Sequence, residues 1–168
     1  MEKKYTISIL LTKSGDFISK LIYYFTGKGY THASIGIDDE EDIYYSFNIK
    51  GFRKEHPKRH KDTIKDSICY ELDVTKEEHE NMTSLINEFQ KERFSWKYDS
   101  LGLILTILHI PHKRKKHYIC SQFVAELLEK AKIMKLSKNP SLYVPNRLGQ
   151  EVRKLLNLRK VDQNPLNQ

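Results

Sequence analysis

One of the two cysteines in the sequence stands where a helix is predicted to begin. After Cys120, apolar residues recur at three- and four-residue intervals from Phe123 to Ala131, which is the spacing of an amphipathic helix. The first turn of a helix holds unpaired N–H groups and the positive end of the helix dipole, and both favour a thiolate. Cys120 is therefore a candidate nucleophile. Cys69 lies in the middle of an alternating strand pattern and is predicted to be a packing residue.

A nucleophilic cysteine needs a base, and the imidazole of histidine is the commonest one. Among the seven histidines, His32 alone stands at the head of a hydrophobic strand pattern, where a rigid scaffold can aim its ring. Four others lie within two basic runs, at 53–61 and 112–117, for which exposed loops are predicted. The pattern favours a His32–Cys120 pair. The alternative from residue types alone is a core histidine and a buried packing cysteine.

Two short motifs around these residues resemble a known family. The segment THASIGI at 31–37 and the segment YICSQFVA at 118–125 resemble the histidine strand and the cysteine helix of circularly permuted papain-like enzymes. The similarity is to the YiiX-like branch of the NlpC-type cysteine peptidase superfamily, to which lecithin:retinol acyltransferase-like proteins are related. The resemblance implies Cys120 as nucleophile and His32 as base. It also implies a permuted papain-like fold, with a small antiparallel sheet or open barrel packed with helices.

The sequence departs from the pattern of that family at two places. The family's orienting polar residue lies on the strand after the histidine, but here that strand, at 43–48, carries no acid or histidine. Tyr45 and Ser46 are therefore the candidate orienting residues, and strand alternation places them on opposite faces. The acyltransferase branch has Asn before the cysteine, whereas Ile119 stands here. This difference favours a hydrolase over a lipid acyltransferase.

The arrangement of the predicted elements indicates an α+β protein, because strands are gathered early in the chain and helices later. Strands are predicted at 5–11, 32–37, 43–48 and 68–74, and helices at 16–25, 76–92, 99–108, 120–132 and 146–156. A Thr75–Glu78 capping box marks the start of the second helix. One catalytic domain is expected over residues 1–161, and residues 162–168 are expected to fray.

Composition and charge narrow the class of protein further. The chain has 168 residues and 11% aromatic content, which excludes wholesale disorder, and its longest apolar stretch is too short to span a membrane. The absence of a secretory signal pattern and the presence of only two cysteines indicate a cytoplasmic location and free thiols, and the family resemblance implies a bacterial enzyme. The 29 basic and 22 acidic residues give a net charge of +7, which favours anionic partners.

The second basic run ends just before Cys120, so Lys113, Lys115 and Lys116 are predicted at the rim of the site, where they would attract an anionic substrate. No metal or other cofactor is expected, because no Cys/His group has zinc-ligand spacing.

The leading hypothesis is a cysteine hydrolase. It would cleave an amide or ester in a peptide, a peptidoglycan fragment or a lipid-linked substrate. The alternative is a non-enzymatic basic protein that binds nucleic acid or an anionic membrane surface. A nucleic-acid partner is less favoured, because no Gly-rich loop or helix-turn-helix pattern is present.

Overall fold

A six-stranded antiparallel sheet with helices packed beside it forms the protein, which confirms the predicted α+β class. The computed structural model describes residues 5–15, 20, 22–23, 27, 29–37 and 42–167. The strands of the large sheet are β1 (Tyr5–Ser14), β2 (His32–Ile37), β3 (Tyr44–Asn48), β4 (Gly51–Glu55), β5 (Ile64–Val74) and β8 (Leu158–Gln163). Two further strands, β6 (Lys97–Tyr98) and β7 (His117–Tyr118), form a small parallel pair. The spatial order is β4-β3-β2-β1-β5-β8, so the sheet is open and β4 and β8 are its edges.

The helices follow the sequence pattern closely. They are α1 (Lys76–Lys91), α2 (Ser100–Ile107), α3 (Cys120–Lys130) and α4 (Pro145–Val152), with short 3-10 turns at Pro57–Thr63, Pro140–Leu142 and Pro165–Asn167. The Thr75 hydroxyl accepts from the Glu78 amide while the Glu78 carboxylate accepts from the Thr75 amide, so the predicted capping box of α1 is confirmed. The helix predicted at 16–25 lies almost entirely outside the described residues.

Five aromatic rings join α1 and α3 to the β3–β4 hairpin. The ring of Phe123 on α3 lies 5.1 Å from that of Phe47 and 5.8 Å from that of Phe52, centroid to centroid. Phe89 on α1 lies 5.0 Å from Phe123, and Tyr118 lies 5.2 Å from Phe47. Edge-to-face and tilted pairs at these distances stabilise a core beyond simple burial. The cluster therefore fixes the start of α3 relative to β4.

Strand β4 is the main difference from the sequence prediction, which places a basic loop after Asn48. The segment Gly51–Glu55 instead pairs with β3 in a hairpin, with Asn48 opposite Gly51 and Tyr44 opposite Glu55. An edge strand pairs on one side only and can carry exposed charges, so β4 lacks the apolar alternation that identifies an inner strand.

The end of the chain also differs from the prediction. The tail expected to fray at 162–168 begins within β8, which pairs with β5, and Leu166 beyond it is buried. Hydrogen bonds of the main chain hold β8 against β5. Because these bonds do not depend on the side chains, the sequence of β8 needs no apolar pattern. Helix α4 ends at Val152 rather than near Leu156, which is fully exposed.

The β3–β4 turn provides a test of the hairpin. Gly51 has φ +89°, and a Cβ there would collide with the Trp96 carbonyl oxygen. We expect Gly51→Ala to lower the free energy of unfolding by about 2 kcal/mol or more, because strain and collision add. Urea unfolding followed by circular dichroism measures the change. Gly15→Ala is the control, since its new Cβ would lie 3.7 Å from the nearest atom; equal losses in the two variants would contradict the assigned turn.

Candidate active site

The His32 ring is bound by a carboxylate from the edge of the sheet. The Nε2 atom of His32 lies 3.0 Å from Oε2 and 3.2 Å from Oε1 of Glu55. His32 begins β2, whose next residue, Ala33, is fully buried, and Glu55 ends β4, two strands away. The two side chains are 23% and 19% exposed, so solvent only partly screens their interaction. This arrangement leaves Nδ1 of His32 for another partner.

Glu55, and neither of the two orienting candidates from the sequence, Tyr45 and Ser46, is the residue found at Nε2 of His32. The Ser46 hydroxyl is buried and donates to the carbonyl of Ala33, so it is engaged with the main chain of β2. The ring of Tyr45 stacks on Phe52 in the core, 6.2 Å between centroids. The correction has a simple cause: the acid comes from the strand after β3, and the sequence pattern does not indicate that strand. The only signal is that Glu55 is the single acid in the basic run 53–61.

Cys120 stands at the start of α3 and lines the same pocket as His32. The Cys120 thiol is one of the groups that raise the pKa of the His32 ring. The residue before it, Ile119, has extended backbone angles and offers no side-chain acceptor to the first turn of α3. The structure thus brings together the two residues that the sequence motifs single out. It adds the Glu55 carboxylate, which contacts Nε2 of the imidazole.

The electrostatic surroundings of His32 favour the imidazolium. Burial opposes charge on the ring and by itself lowers the His32 pKa. The negative charge of Glu55 and the interactions with Cys120 outweigh burial, so the pKa of His32 lies well above its ordinary value of 6.5. His32 can therefore hold a proton at neutral pH.

The second cysteine lies in a different environment. Cys69 is a buried residue of β5, and burial raises the pKa of its thiol to about 11. Its sulfur lies 3.8 Å from the Tyr44 hydroxyl, whose pKa burial also raises. A thiol with so high a pKa is almost entirely protonated at neutral pH and is a poor nucleophile. The predicted packing role suits this position.

The pocket around His32 and Cys120 has a volume of about 620 Å³. Among the described residues that line it, Lys50, Arg53, Lys54 and Arg59 are basic, and Glu55 is the only acid. Because Glu55 is paired with His32, the remaining formal charge of the lining is positive.

The three lysines predicted at the rim, Lys113, Lys115 and Lys116, are not among the residues that line this pocket. Lys116 pairs with Glu92 at 2.7 Å, which directs it to the α1 side of the molecule. Three of the four described cations at the pocket, Arg53, Lys54 and Arg59, come from the other basic run, which begins on β4 of the hairpin, and the fourth, Lys50, lies between β3 and β4.

Comparison with known proteins gives a likeness at the level of structure. A crystal structure of metalloprotein YiiX from Escherichia coli O157:H7 matches with a TM-score of 0.56 and 16% sequence identity, over 95% of this chain and 88% of that one. No protein-family model matches the sequence, and no curated protein matches it. At this identity the likeness supports a YiiX-like fold and no more. No helix in the described part of the chain has the length and apolar content needed to cross a bilayer.

The Glu55–His32 pair gives a prediction about pH. We expect Glu55→Gln to lower the pKa of His32, because the neutral amide removes the main favourable charge. A raised folded-state pKa stabilises the fold below the unfolded value near 6.5, and this stability is lost as pH rises through the folded pKa. Below pH 6.5 the variant should therefore be less stable than the parent protein. Its free energy of unfolding should also change less as the pH rises through the His32 pKa of the parent.

NMR titration of the His32 ring measures the pKa directly, and urea unfolding from pH 5 to pH 9 measures the stability. Glu92→Gln is the matched control, since Glu92 pairs with Lys116 and not with His32. An unchanged His32 pKa in Glu55→Gln would contradict the electrostatic account of the site.

Proposed function

We propose that the protein is a cysteine hydrolase that cleaves an amide or ester by acyl transfer to Cys120. One observation carries the proposal: the His32 imidazole contacts the Glu55 carboxylate and lines the same pocket as Cys120. A nucleophile and a base in one pocket, with a further group that orients the base, form the arrangement that nucleophilic catalysis requires. The YiiX-like fold supports the proposal but does not identify an activity.

In the first half of the reaction, His32 accepts the thiol proton of Cys120. The thiolate sulfur attacks the substrate carbonyl carbon and forms an S–C bond, and the carbonyl oxygen becomes an oxyanion. When the oxyanion collapses, the bond from carbon to the leaving nitrogen or oxygen breaks. His32 returns the proton to that leaving atom. The products are a free amine or alcohol and an acyl-thioester on Cys120.

In the second half, water releases the acyl group. His32, now neutral, accepts a proton from the attacking water while the oxygen of that water bonds to the thioester carbon. Collapse of the second oxyanion breaks the S–C bond, and the thiol regains a proton from His32. Glu55 keeps the ring in one orientation and stabilises the imidazolium that forms in each half, as the raised His32 pKa indicates.

The oxyanion is best placed at the first turn of α3. The amide groups there meet no side-chain cap from Ile119 and lie at the positive end of the helix. Backbone donors aimed at the place where negative charge develops are a common means of stabilising acyl-transfer intermediates. The apolar cap residue thus leaves donors available to a substrate.

The charge of the pocket favours an anionic substrate. Among the described residues that line it, four are basic, and the one acid, Glu55, is paired with His32. A peptide or peptidoglycan fragment with a carboxylate near the scissile bond, or an anionic lipid-linked ester, has the required charge. This substrate class follows from the basic run that the β3–β4 hairpin carries.

The YiiX protein is described as a metalloprotein. In this chain, no group of three or more His, Cys, Asp or Glu side chains within the described ranges is arranged to hold a metal ion. The Nε2 of His32 and the oxygens of Glu55 are engaged with each other. These residues do not fit a metal centre, so no step above passes through one.

The covalent intermediate gives a test of the function. Incubation with 4-nitrophenyl butyrate, followed by acid quenching and intact-mass spectrometry, should show one butyryl group on the protein. We expect no adduct with Cys120→Ala and a full adduct with Cys69→Ala. His32→Ala should acylate about 100-fold more slowly or worse, because it lacks the base. An adduct that persists in Cys120→Ala, or that requires Cys69, would overturn the assignment.

The cations of the pocket give a second test. We compare kcat/KM for 4-nitrophenyl succinate, which is anionic, with that for the neutral butyrate. In Arg53→Gln/Lys54→Gln the ratio of kcat/KM for the anionic ester to kcat/KM for the neutral ester should fall about three- to tenfold. Added salt should narrow the difference in this ratio between parent and variant, because it screens exposed charge. Lys113→Gln/Lys115→Gln is the matched control and should leave the ratio unchanged. If the control lowers the ratio as much as the pocket variant does, the pocket charge is not responsible.

A further inference from the structure

Helix α2 presents an apolar face to solvent. Its outer side and the residues just after it expose Leu101, Ile104, Leu108 and Ile110, which are 51%, 54%, 60% and 46% accessible. The first three follow the spacing of one helix face. The opposite side of α2 is buried, with Leu103 in the core. Four exposed aliphatic side chains on one short helix and the residues just after it indicate an interaction surface.

The exposed charges that follow this face in the sequence are positive. Lys113, Arg114 and Lys115 follow the helix closely and are exposed. From position 93 to 119 the sequence contains one acid, Asp99, and its side chain is fully buried. Asp99 is also paired with Arg114 at 2.6 Å. Within the same run, Lys116 pairs with the exposed Glu92, which leaves Lys113 and Lys115. The apolar face and the basic run together, called here the α2 surface, therefore combine exposed aliphatic groups with a net positive charge.

We propose that the α2 surface seats the protein on the surface of an anionic phospholipid bilayer. Leu101, Ile104 and Leu108 enter the boundary between headgroups and acyl chains, and the basic run contacts lipid phosphates. Helix α2 has eight residues and is about 12 Å long, which suits a helix lying along a membrane and not across it. The charge complementarity between the basic run and an anionic headgroup layer selects this partner.

The α2 surface lies next to the pocket but does not share its residues. The inner face of α2 packs Leu103 against Ile119, the residue before Cys120, and Tyr98 at the pocket precedes α2 by two positions. A membrane bound through α2 would therefore lie close to the mouth of the site. Membrane binding depends on residues outside the proposed catalytic group, so it stands or fails separately from the hydrolase proposal.

The test measures co-sedimentation of the full chain with vesicles. The vesicles are phosphatidylcholine alone, or phosphatidylcholine with 30 mol% phosphatidylglycerol as the stated probe composition. We expect binding only to the anionic vesicles. Ile104→Glu/Leu108→Glu should weaken it more than about tenfold, because two apolar contacts are replaced by charges. Lys113→Gln/Lys115→Gln should weaken it about fivefold for each charge removed, with a shallower salt dependence.

Two matched controls distinguish binding through the α2 surface from nonspecific electrostatic or hydrophobic adsorption. Leu156→Glu changes a fully exposed leucine beyond α4, and Lys135→Gln/Lys138→Gln removes two exposed lysines elsewhere. Both should bind as the parent does, and circular dichroism should show all variants folded. The proposal is overturned if the parent does not bind anionic vesicles, or if the controls lose binding as the α2 variants do. It is also overturned if size-exclusion chromatography shows an oligomer that dissociates in Ile104→Glu/Leu108→Glu, because a second copy of the chain then covers the apolar face.

Discussion

The bond between Glu55 and His32 depends on the register of the β3–β4 hairpin. Glu55 lies at the end of the edge strand, and His32 begins a strand two places further in, so their side chains meet only if β4 folds back on β3 with Gly51 opposite Asn48. The positive φ of Gly51 and its close approach to Trp96 make that turn accessible to glycine alone. A single backbone position therefore controls whether the histidine has an anionic partner.

The aromatic cluster supplies the other half of the geometry. Phe52 lies on β4, Phe123 on α3, and their rings are 5.8 Å apart. Because Cys120 begins α3 and Glu55 ends β4, the same core contact sets the distance between the two ends of the proposed catalytic group. Interiors are close-packed and transmit strain, so a change in this cluster would move the thiol relative to the imidazole. Core packing and chemistry are linked here through one helix and one hairpin.

The sequence predicts the inner strands and the helices with apolar faces, because one-sided burial leaves a periodic pattern. Cys120 and His32 are both found in this way, one at a helix start and one at a strand start. Glu55 is not found, because β4 and β8 are edge strands that carry charge and are held by main-chain pairing. The contact between Glu55 and His32 joins residues 23 apart across two strands, and nothing local in either segment specifies it. For the same reason the sequence alone assigns the pocket rim to the basic run nearest to Cys120, whereas the hairpin brings the other run there.

The central claim is that Glu55 acts on Cys120 through His32. Its most direct test is a double-mutant cycle on the rate of Cys120 alkylation by iodoacetamide, in a Cys69→Ala background at constant pH. Glu55→Gln should slow alkylation when His32 is present, because the imidazolium that stabilises the thiolate is weakened. In His32→Ala, adding Glu55→Gln should change the rate very little. If Glu55→Gln slows alkylation by the same factor with and without His32, the three residues do not act as one unit and the account is contradicted.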